Sequence, residues 1–160
     1  MTDLGRYQDP LAIQRTLYNA RTVAVVGLSP NELRPSNFVG YYLVRHGYQV
    51  IPVNPRETEI LGSRSYPSLL DVPVPVDIVN VFRASDALPE IARQAVTIRA
   101  AVLWCQFGVI NEEGARIAED AGMTVIMDRC LKVEHARYLG RMHWLGFNTQ
   151  RITSARAGLQ

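Results

Sequence analysis

Short apolar runs alternate with segments of helical periodicity along most of this chain. The runs are continuously apolar and rich in β-branched residues, which is typical of parallel strands buried on both faces of a sheet. Between them, apolar positions recur every three or four residues, as on the buried face of an amphipathic helix. The predicted strands are Val23–Val26, Gln49–Val53, Asp77–Phe82, Ala101–Trp104 and Thr124–Met127.

Capping residues set the expected limits of the helices. Asp9 followed by Pro10 predicts one helix start, and Asn111 before two glutamates predicts another. Gly47 and Gly122 are expected just after helix ends, where glycine adopts the left-handed backbone that closes a helix. The predicted helices begin near Pro10, Ser36, Ser85, Glu112 and Lys132, with a shorter helix near Ser68–Leu70.

Strands and helices in this order predict right-handed βαβ units and an α/β fold. We expect a doubly wound, mostly parallel sheet of five or six strands, with helices on both faces in three α/β/α layers. Residues 1–21 are expected to form an N-terminal helix packed on the domain, residues 22–140 the domain itself, and residues 141–160 a C-terminal tail.

Composition limits the class of protein. A chain of 160 residues that is 48% hydrophobic and 20% charged is typical of a globular domain rather than a disordered segment. A net charge of +2 without a basic run does not predict a nucleic-acid surface. No apolar stretch approaches the roughly 20 residues that span a bilayer. Two cysteines without metal-ligand spacing, and an N-terminus unlike a secretory signal, predict a cytoplasmic protein without a metal site.

The most informative segment reads VAVVGLSPNELRPS and covers residues 23–36. A β-branched run ends at Gly27, a polar loop follows, and an amphipathic helix begins near Ser36. Backbone N–H groups and the positive end of a helix dipole meet at such a junction, which favours binding of a phosphate group. Arg34 in the loop adds a planar guanidinium that suits a phosphate. The segment therefore predicts a phosphorylated small-molecule ligand.

Polar residues follow the other predicted strands as well. In a doubly wound sheet, ligands bind beyond the carboxyl ends of the strands, near the point where the strand order reverses. Arginines, amides and hydroxyls dominate at these positions and carboxylates are scarce, which suits a polyanionic ligand. The residues in question are Gly27, Ser29, Arg34, Ser36, Asn54, Pro55, Arg56, Phe82, Arg83, Cys105, Gln106, Gly108, Asp128, Arg129 and Cys130.

The common nucleotide-binding motifs are absent. The G-x-G-x-x-G fingerprint does not occur, because Gly27 is the only glycine in the first loop. Asn54, Pro55 and Arg56 stand where an acidic residue would bind the ribose of NAD. An arginine at that position suits a ribose that carries a phosphate, as in NADP and coenzyme A. The Walker pattern is also absent, which disfavours hydrolysis of nucleoside triphosphates.

No pair of nucleophile and base is evident in the sequence. Cys105 follows a strand, but no histidine is placed to activate it, so we expect a buried, inert thiol. Trp104 is expected in the core first and beside the ligand second. The densest polar cluster lies between Asp128 and His135. We favour a helix capped by Asp128 with Glu134 exposed; the alternative is a catalytic or partner-binding patch at the cleft.

Several segments occur in an order that resembles a known family. In chain order they read GLSPNELRPS, GYQVIPVNPR, LGSRSYPSLLDVP, VDIVNVFR, WCQFGV and MDRCLKVEH. Together they look like the stand-alone coenzyme A-binding proteins, which are similar to the coenzyme A-binding domain of the succinyl-CoA synthetase α subunit. The resemblance covers residues 23–135, most of the chain.

The resemblance implies a Rossmann-like domain with coenzyme A or an acyl derivative over the strand ends. The residues that would hold the phosphates are Gly27, Ser29, Arg34, Pro35 and Ser36. Those that would border the adenine and ribose are Val53, Asn54, Pro55 and Arg56, the last for the ribose phosphate. Those that would line the rest of the cleft are Phe82, Arg83, Trp104, Gln106 and Gly108. The synthetase's phosphorylated histidine lies in a second domain that is not expected here, so binding without catalysis is expected.

Other interpretations stay open. An NADP-binding oxidoreductase or sensor shares the same need to bind phosphates. An interaction module with a vestigial cleft, in a homodimer or with another protein, is suggested by Arg141, Trp144 and Phe147 near the C-terminus. A non-catalytic subunit of an acyl-CoA ligase or transferase would act together with a separate catalytic chain.

Overall fold

A computed structural model describes residues 3–140 of the chain. The predicted C-terminal tail at 141–160, with Arg141, Trp144 and Phe147, lies outside the described residues. Within residues 3–140, every helix is too short or too polar to cross a membrane.

Strands and helices alternate along the described part of the chain. The strands are β1 (Thr22–Val26), β2 (Gln49–Val53), β3 (Glu59–Ile60), β4 (Ser63–Arg64), β5 (Ile78–Val81), β6 (Val102–Cys105) and β7 (Thr124–Ile126). The helices are α1 (Pro10–Asn19), α2 (Pro35–Arg45), α3 (Leu88–Thr97), α4 (Glu112–Asp120) and α5 (Leu131–His135). Short 3₁₀ helices cover Leu4–Tyr7, Leu69–Asp71 and Ser85–Ala87, and a π-helical turn covers Ala136–Gly140.

The central sheet has five strands in the order β2-β1-β5-β6-β7, all of them parallel. Val23 of β1 pairs with Val50 of β2 on one side and with Ile78 of β5 on the other. The chain therefore adds β2 on one side of β1 and then crosses to add β5 on the other. This topology confirms the predicted doubly wound α/β fold and places the reversal of strand order between β1 and β5.

Helices cover both faces of this sheet. One layer of core contains Val23 and Val25 of β1 together with apolar residues of α1, α2 and α5. The other contains Ala24 and Val26 with apolar residues of α3 and α4. Every residue of β1 is buried because both of its faces are covered, which explains its uninterrupted apolar sequence.

Two helices, α1 and α4, begin at the capping residues that the sequence predicts. Asp9 Oδ1 accepts a hydrogen bond from the Leu11 N–H at 3.2 Å, and Pro10 follows as the first helical residue. Asn111 Oδ1 accepts from the Gly114 N–H at 2.9 Å. These contacts confirm both predicted helix starts, since each satisfies a donor that the first turn leaves unpaired.

The sequence did not predict the small antiparallel hairpin β3–β4, whereas the 3₁₀ helix Leu69–Asp71 that follows it confirms the short helix expected near Ser68–Leu70. The strands of the hairpin have two residues each, which is too short for an alternating pattern to reveal. After the hairpin, Tyr66 joins the edge of β2: its N–H donates to the Pro52 oxygen at 3.0 Å, and its oxygen accepts from the Asn54 N–H at 2.9 Å. The hairpin thereby holds the residues that follow β2.

The predicted cap of the last helix is wrong. Cys130, not Asp128, occupies the N-cap position of α5, and Asp128 has a left-handed backbone with φ of +61°. Glu134, expected to be exposed, is only 2% exposed and pairs with Arg137 at 3.4 Å. The physical reason is tertiary: α5 packs against α2, Glu134 is buried in the fold, and the Asp128 carboxylate accepts a hydrogen bond from a loop that is distant in sequence.

Candidate functional site

The carboxyl ends of three neighbouring strands converge on Gly27. Its N–H donates to the Val53 oxygen at the end of β2 at 2.9 Å, and the Phe82 N–H after β5 donates to the Val26 oxygen at 2.9 Å. Gly27 has φ of +90°, and a Cβ there would lie 2.7 Å from the Phe82 oxygen and 3.1 Å from Arg83 Cδ. Because only glycine fits this approach, bare backbone lies at the point where the strand order reverses.

Side chains within the loop after β1 hold that loop in place. Ser36 Oγ accepts from the Ser29 N–H at 3.0 Å, and Ser29 Oγ accepts from the Asn31 N–H at 3.0 Å. Asn31 Oδ1 accepts from the Leu33 N–H at 2.9 Å, and Asn37 Nδ2 donates to the Ser29 oxygen at 2.8 Å. The conformation of the loop is therefore set by its own polar residues.

These bonds decide which donors of the loop are available to an anion. The N–H groups of Ser29, Asn31 and Leu33 are already used, and Pro35 has none. The hydroxyl oxygens of Ser29 and Ser36 accept hydrogen bonds, which leaves their hydrogens to donate elsewhere. The loop thus offers an anion these hydroxyl groups and the positive end of α2, while three of its backbone N–H groups are engaged by its own side chains.

Arginines without an anionic partner lie after three neighbouring strands. Arg34 follows β1, Arg56 follows β2 and Arg83 follows β5, and all three are exposed. Within residues 3–140, none of the three forms a salt bridge; the arginines that do so pair with glutamates on helices elsewhere. The strand ends at the reversal point therefore carry three arginines whose charge is not neutralised by a salt bridge within residues 3–140.

Asn54 ties the end of β2 to the loop after β1. Its Nδ2 donates to the Leu28 oxygen at 2.9 Å, and its Oδ1 accepts from the Arg56 N–H at 2.8 Å across Pro55. Ser65 Oγ donates to the Asn54 oxygen at 3.1 Å. Both the nitrogen and the oxygen of the Asn54 side-chain amide thus form hydrogen bonds, so this residue holds the backbone at Arg56 beside the loop. The side chain of Val53, by contrast, is buried in the core.

The end of β6 carries one buried aromatic residue and one buried amide. Trp104 is 0% exposed, and its Nε1 donates to the Arg129 oxygen at 2.9 Å, so the indole lies in the core beneath the cleft. Gln106 is 8% exposed, and its N–H donates to the Val81 oxygen at 3.2 Å. Its Oε1 is buried and has no hydrogen-bond partner within residues 3–140.

The carboxylate of Asp128, just after β7, holds the loop after β6, a role that the sequence did not reveal. Asp128 Oδ1 accepts from the Gly108 N–H at 2.7 Å, and the Gly108 oxygen accepts from Ser85 Oγ at 3.1 Å. Gly108 itself has φ of +80°. The only sequence signal was the position of Asp128 directly after a strand, because its partner lies 20 residues away along the chain.

Replacing Asp128 with alanine will destabilise the protein by about 1–2 kcal/mol, because it removes a charged acceptor and places alanine in a left-handed conformation. Asp128→Asn keeps an acceptor and tolerates that backbone, so it will lose less than half as much. Asp128→Gly relieves the strain of the left-handed backbone and loses only the hydrogen bond to the Gly108 N–H. Urea denaturation measures the free energy of unfolding of the three variants. Equal destabilisation by alanine and by asparagine would argue against a structural role of the Asp128 hydrogen bond.

Cys105, which ends β6, is a buried free thiol. Burial raises the pKa of the Cys105 thiol to about 12, so it stays protonated at neutral pH. This confirms the expected buried thiol. Within residues 3–140, no group of three or more His, Cys, Asp or Glu side chains is arranged to hold a metal ion.

A separate groove of about 220 Å³ lies at the opposite end of the sheet, where its strands begin. It is lined by residues of α1 and by Asp77, Ala101 and Thr124 at the amino ends of strands. There the Asp77 carboxylate accepts hydrogen bonds from the N–H groups of Arg21 and Thr22 at 2.8 and 3.0 Å, so it satisfies the donors at the start of β1. Arg34, Arg56 and Arg83 lie at the other end of the sheet, where the strands end. We therefore take the carboxyl ends of the strands as the candidate site.

Comparison with known proteins finds similar sequences and structures. A family model described as CoA binding domain matches residues 21–136, a range that contains every strand and loop described above. The uncharacterized protein YneT of Bacillus subtilis (strain 168) is 44% identical over 124 residues, which cover 78% of this chain and 92% of that protein. The structure of a hypothetical protein from Pyrococcus horikoshii OT3 has a TM-score of 0.83 and 36% identity, covering 88% of this chain and 99% of that one.

Part of a much larger enzyme is similar as well. The ADP-forming acetate–CoA ligase II of Archaeoglobus fulgidus is 31% identical over 109 residues. The match covers 66% of this chain but only 16% of the ligase.

Proposed function

The chain belongs to the CoA binding domain family, and from this we propose that it binds coenzyme A or an acyl-coenzyme A at the carboxyl ends of β1, β2, β5 and β6. One observation carries the proposal beyond the family match. Arg34, Arg56 and Arg83 follow the three strands whose ends meet at Gly27, and none of them forms a salt bridge within residues 3–140. Unpaired arginines at a strand-order reversal suit a ligand rich in phosphate.

The residues of the cleft fit the parts of such a ligand. Coenzyme A carries a pyrophosphate, a phosphorylated ribose with adenine, and an amide-containing arm that ends in a thiol. The pyrophosphate would lie against the start of α2, where Ser29, Ser36 and Arg34 donate and Pro35 opens the helix. The ribose and adenine would lie beside Val53, Asn54 and Pro55, with the ribose phosphate at Arg56. The other arm would pass Phe82, Arg83, Gln106 and Gly108, above the buried Trp104.

We assign the cleft to binding without catalysis. The sequence singled out Cys105 as a strand-end thiol that could act as a nucleophile. This thiol is buried and protonated. His135 is buried as well, and its Nδ1 lies 2.8 Å from the hydroxyl of Tyr42 in a hydrogen bond between two helices. In this proposal the cleft residues bind and orient a ligand, and acyl transfer would need groups other than Cys105 and His135.

The similarity to part of an acetate–CoA ligase supports a second candidate function. In that role the chain would be the coenzyme A-binding component beside a separate catalytic chain. The two candidates share the same site and differ in whether the isolated protein has a function of its own.

Titration calorimetry of the purified chain tests the proposal. We expect saturable binding of coenzyme A, weaker binding of dephospho-coenzyme A because Arg56 loses its phosphate, and much weaker binding of pantetheine. Protein that is folded by circular dichroism but gives no heat with millimolar coenzyme A would refute the proposal. Binding of NADPH in preference to coenzyme A would favour the oxidoreductase or sensor instead.

A further inference from the structure

Arg129, just after β7, is the only half-buried arginine within residues 3–140; the other arginines there are exposed. A guanidinium group keeps its charge in proteins, so its partial burial has to be offset by an anion or by several acceptors. Arg129 forms no salt bridge within residues 3–140. Its charge is therefore only partly compensated by the residues described.

Two neutral acceptors hold the Arg129 side chain. Its Nη1 donates to the Asp128 backbone oxygen at 2.9 Å, and its Nη2 donates to Gln8 Oε1 at 3.1 Å. The remaining N–H donors of the guanidinium have no hydrogen-bond partner within residues 3–140. The nearest carboxylate along the chain, that of Asp128, accepts from the Gly108 N–H at 2.7 Å. The guanidinium is thus fixed in position and has donors left over for an anion.

Neighbouring elements anchor Arg129 on several sides. Its N–H donates to the Cys105 oxygen at 3.2 Å, and its own backbone oxygen accepts from Trp104 Nε1 at 2.9 Å. Gln8 is held as well, since its Nε2 donates to the Met127 oxygen at 3.1 Å. The guanidinium is therefore placed at the carboxyl end of β7 before any ligand arrives. Such pre-organisation lowers the entropy that a side chain loses on binding.

The place of β7 in the sheet decides which part of the ligand lies near Arg129. In the proposed complex the phosphates lie at the ends of β1 and β2. β7 is three strand spacings from β1 and four from β2, which is about 14 and 19 Å. From its phosphates, coenzyme A continues through an uncharged pantetheine arm to a thiol. An anion bound after β7 would therefore belong to the acyl group on that thiol.

We propose that this cleft selects acyl-coenzyme A ligands whose acyl chain ends in a carboxylate, and that Arg129 binds this carboxylate. A planar guanidinium matches a carboxylate through two parallel hydrogen bonds. The inference rests on the proposed binding of coenzyme A and names the class of acyl group that the site takes.

Titration calorimetry with matched pairs of thioesters tests this assignment. Malonyl-coenzyme A is compared with propionyl-coenzyme A, and succinyl-coenzyme A with butyryl-coenzyme A. Within each pair a carboxylate replaces a methyl group, and the two pairs differ in how far the chain reaches beyond the thiol. We expect the wild-type chain to bind the carboxylated member of at least one pair about tenfold more tightly.

Variants of Arg129 assign that preference to one side chain. Arg129→Gln removes the charge and keeps an N–H donor for the neutral acceptors, so it will abolish the preference and leave affinity for the two methyl-ended thioesters unchanged. Arg129→Lys keeps the charge but loses the planar group, so it will retain part of the preference. Arg21→Gln, at an exposed arginine just before β1, is the matched control and will retain all of it.

The outcomes separate this inference from the proposed function. Equal binding within both pairs by the wild-type chain would overturn the inference. So would a preference that survives in Arg129→Gln, or a loss in that variant that is the same for all four thioesters. These results leave coenzyme A binding intact, whereas a wild-type chain that binds neither coenzyme A nor any thioester would overturn both proposals.

A second variant serves if Arg129→Gln does not fold. Gln8→Met retains Arg129 and removes the acceptor that holds its Nη2. We expect the preference for the carboxylated thioester to fall about threefold, because the guanidinium is no longer fixed in position. An unchanged preference in this variant would contradict the pre-organised carboxylate site.

Discussion

Replacing Gly27 with alanine will destabilise the protein by about 3 kcal/mol and remove measurable binding of coenzyme A. The new Cβ would lie 2.7 Å from the Phe82 oxygen, closer than real Cβ atoms approach, in a backbone with φ of +90°. The contacted atom belongs to the backbone after β5, so a rotamer change cannot relieve the clash. The ends of β1 and β5 must separate, and this is where the ligand is expected to bind.

A second glycine provides a matched control for this variant. Gly47 has nearly the same backbone, with φ of +89°, but nothing lies within 4 Å of a Cβ built there. Gly47→Ala therefore measures the backbone strain alone, about 1–2 kcal/mol. Urea denaturation gives the free energy of unfolding of both variants, and titration with coenzyme A gives their affinity. Equal destabilisation by the two substitutions would show that the close approach to Phe82 is unimportant.

Replacing Arg34 with alanine will weaken binding of coenzyme A at least tenfold and leave the stability of the fold within about 0.5 kcal/mol of wild type. The side chain is exposed and makes no capping bond, while the backbone oxygen that accepts from the N–H groups of Asn37 and Phe38 is retained. Affinity for pantetheine will not change, because pantetheine has no phosphate. Calorimetric titration with each compound measures the difference.

Two further variants separate a local contact from an effect of net charge. Arg21→Ala removes an exposed arginine at the opposite end of the same strand, so it will leave affinity for coenzyme A almost unchanged. Arg34→Lys keeps the charge but loses the planar group that binds phosphate through two hydrogen bonds, so it will give an intermediate loss. If Arg34→Ala weakened binding of coenzyme A and pantetheine equally, Arg34 would not belong to the phosphate site.

The general fold was predictable because its signals are local. Each strand of the parallel sheet is buried on both faces and therefore reads as an apolar run, and the capping pairs at Asp9 and Asn111 lie within three residues of their partners. The hairpin at residues 59–64 was missed because its strands are too short to show a pattern. Asp128 was misassigned because its hydrogen-bond partner, Gly108, is distant in sequence and adjacent only in the sheet.

The candidate site was predictable in part. Parallel strands present their carboxyl ends at one edge, so the sequence indicated that Arg34, Arg56 and Arg83 follow strands at that edge. It could not indicate which donors of the first loop are already used, as are the N–H groups of Ser29 and Asn31, which donate to neighbouring hydroxyl groups. Which donors are already used depends on side-chain orientation, and periodicity carries no information about that.

Periodicity and capping alone thus established a doubly wound α/β sheet, its order of elements and the edge at which a phosphorylated ligand is expected. The fold alone revealed that Gly27 closely approaches the backbone after β5, that Glu134 is buried, and that the Gln106 oxygen has no hydrogen-bond partner within residues 3–140. The physical reason is the range of the interactions. Secondary structure follows from neighbours along the chain, whereas close approach, burial and hydrogen-bond satisfaction depend on residues brought together from distant strands.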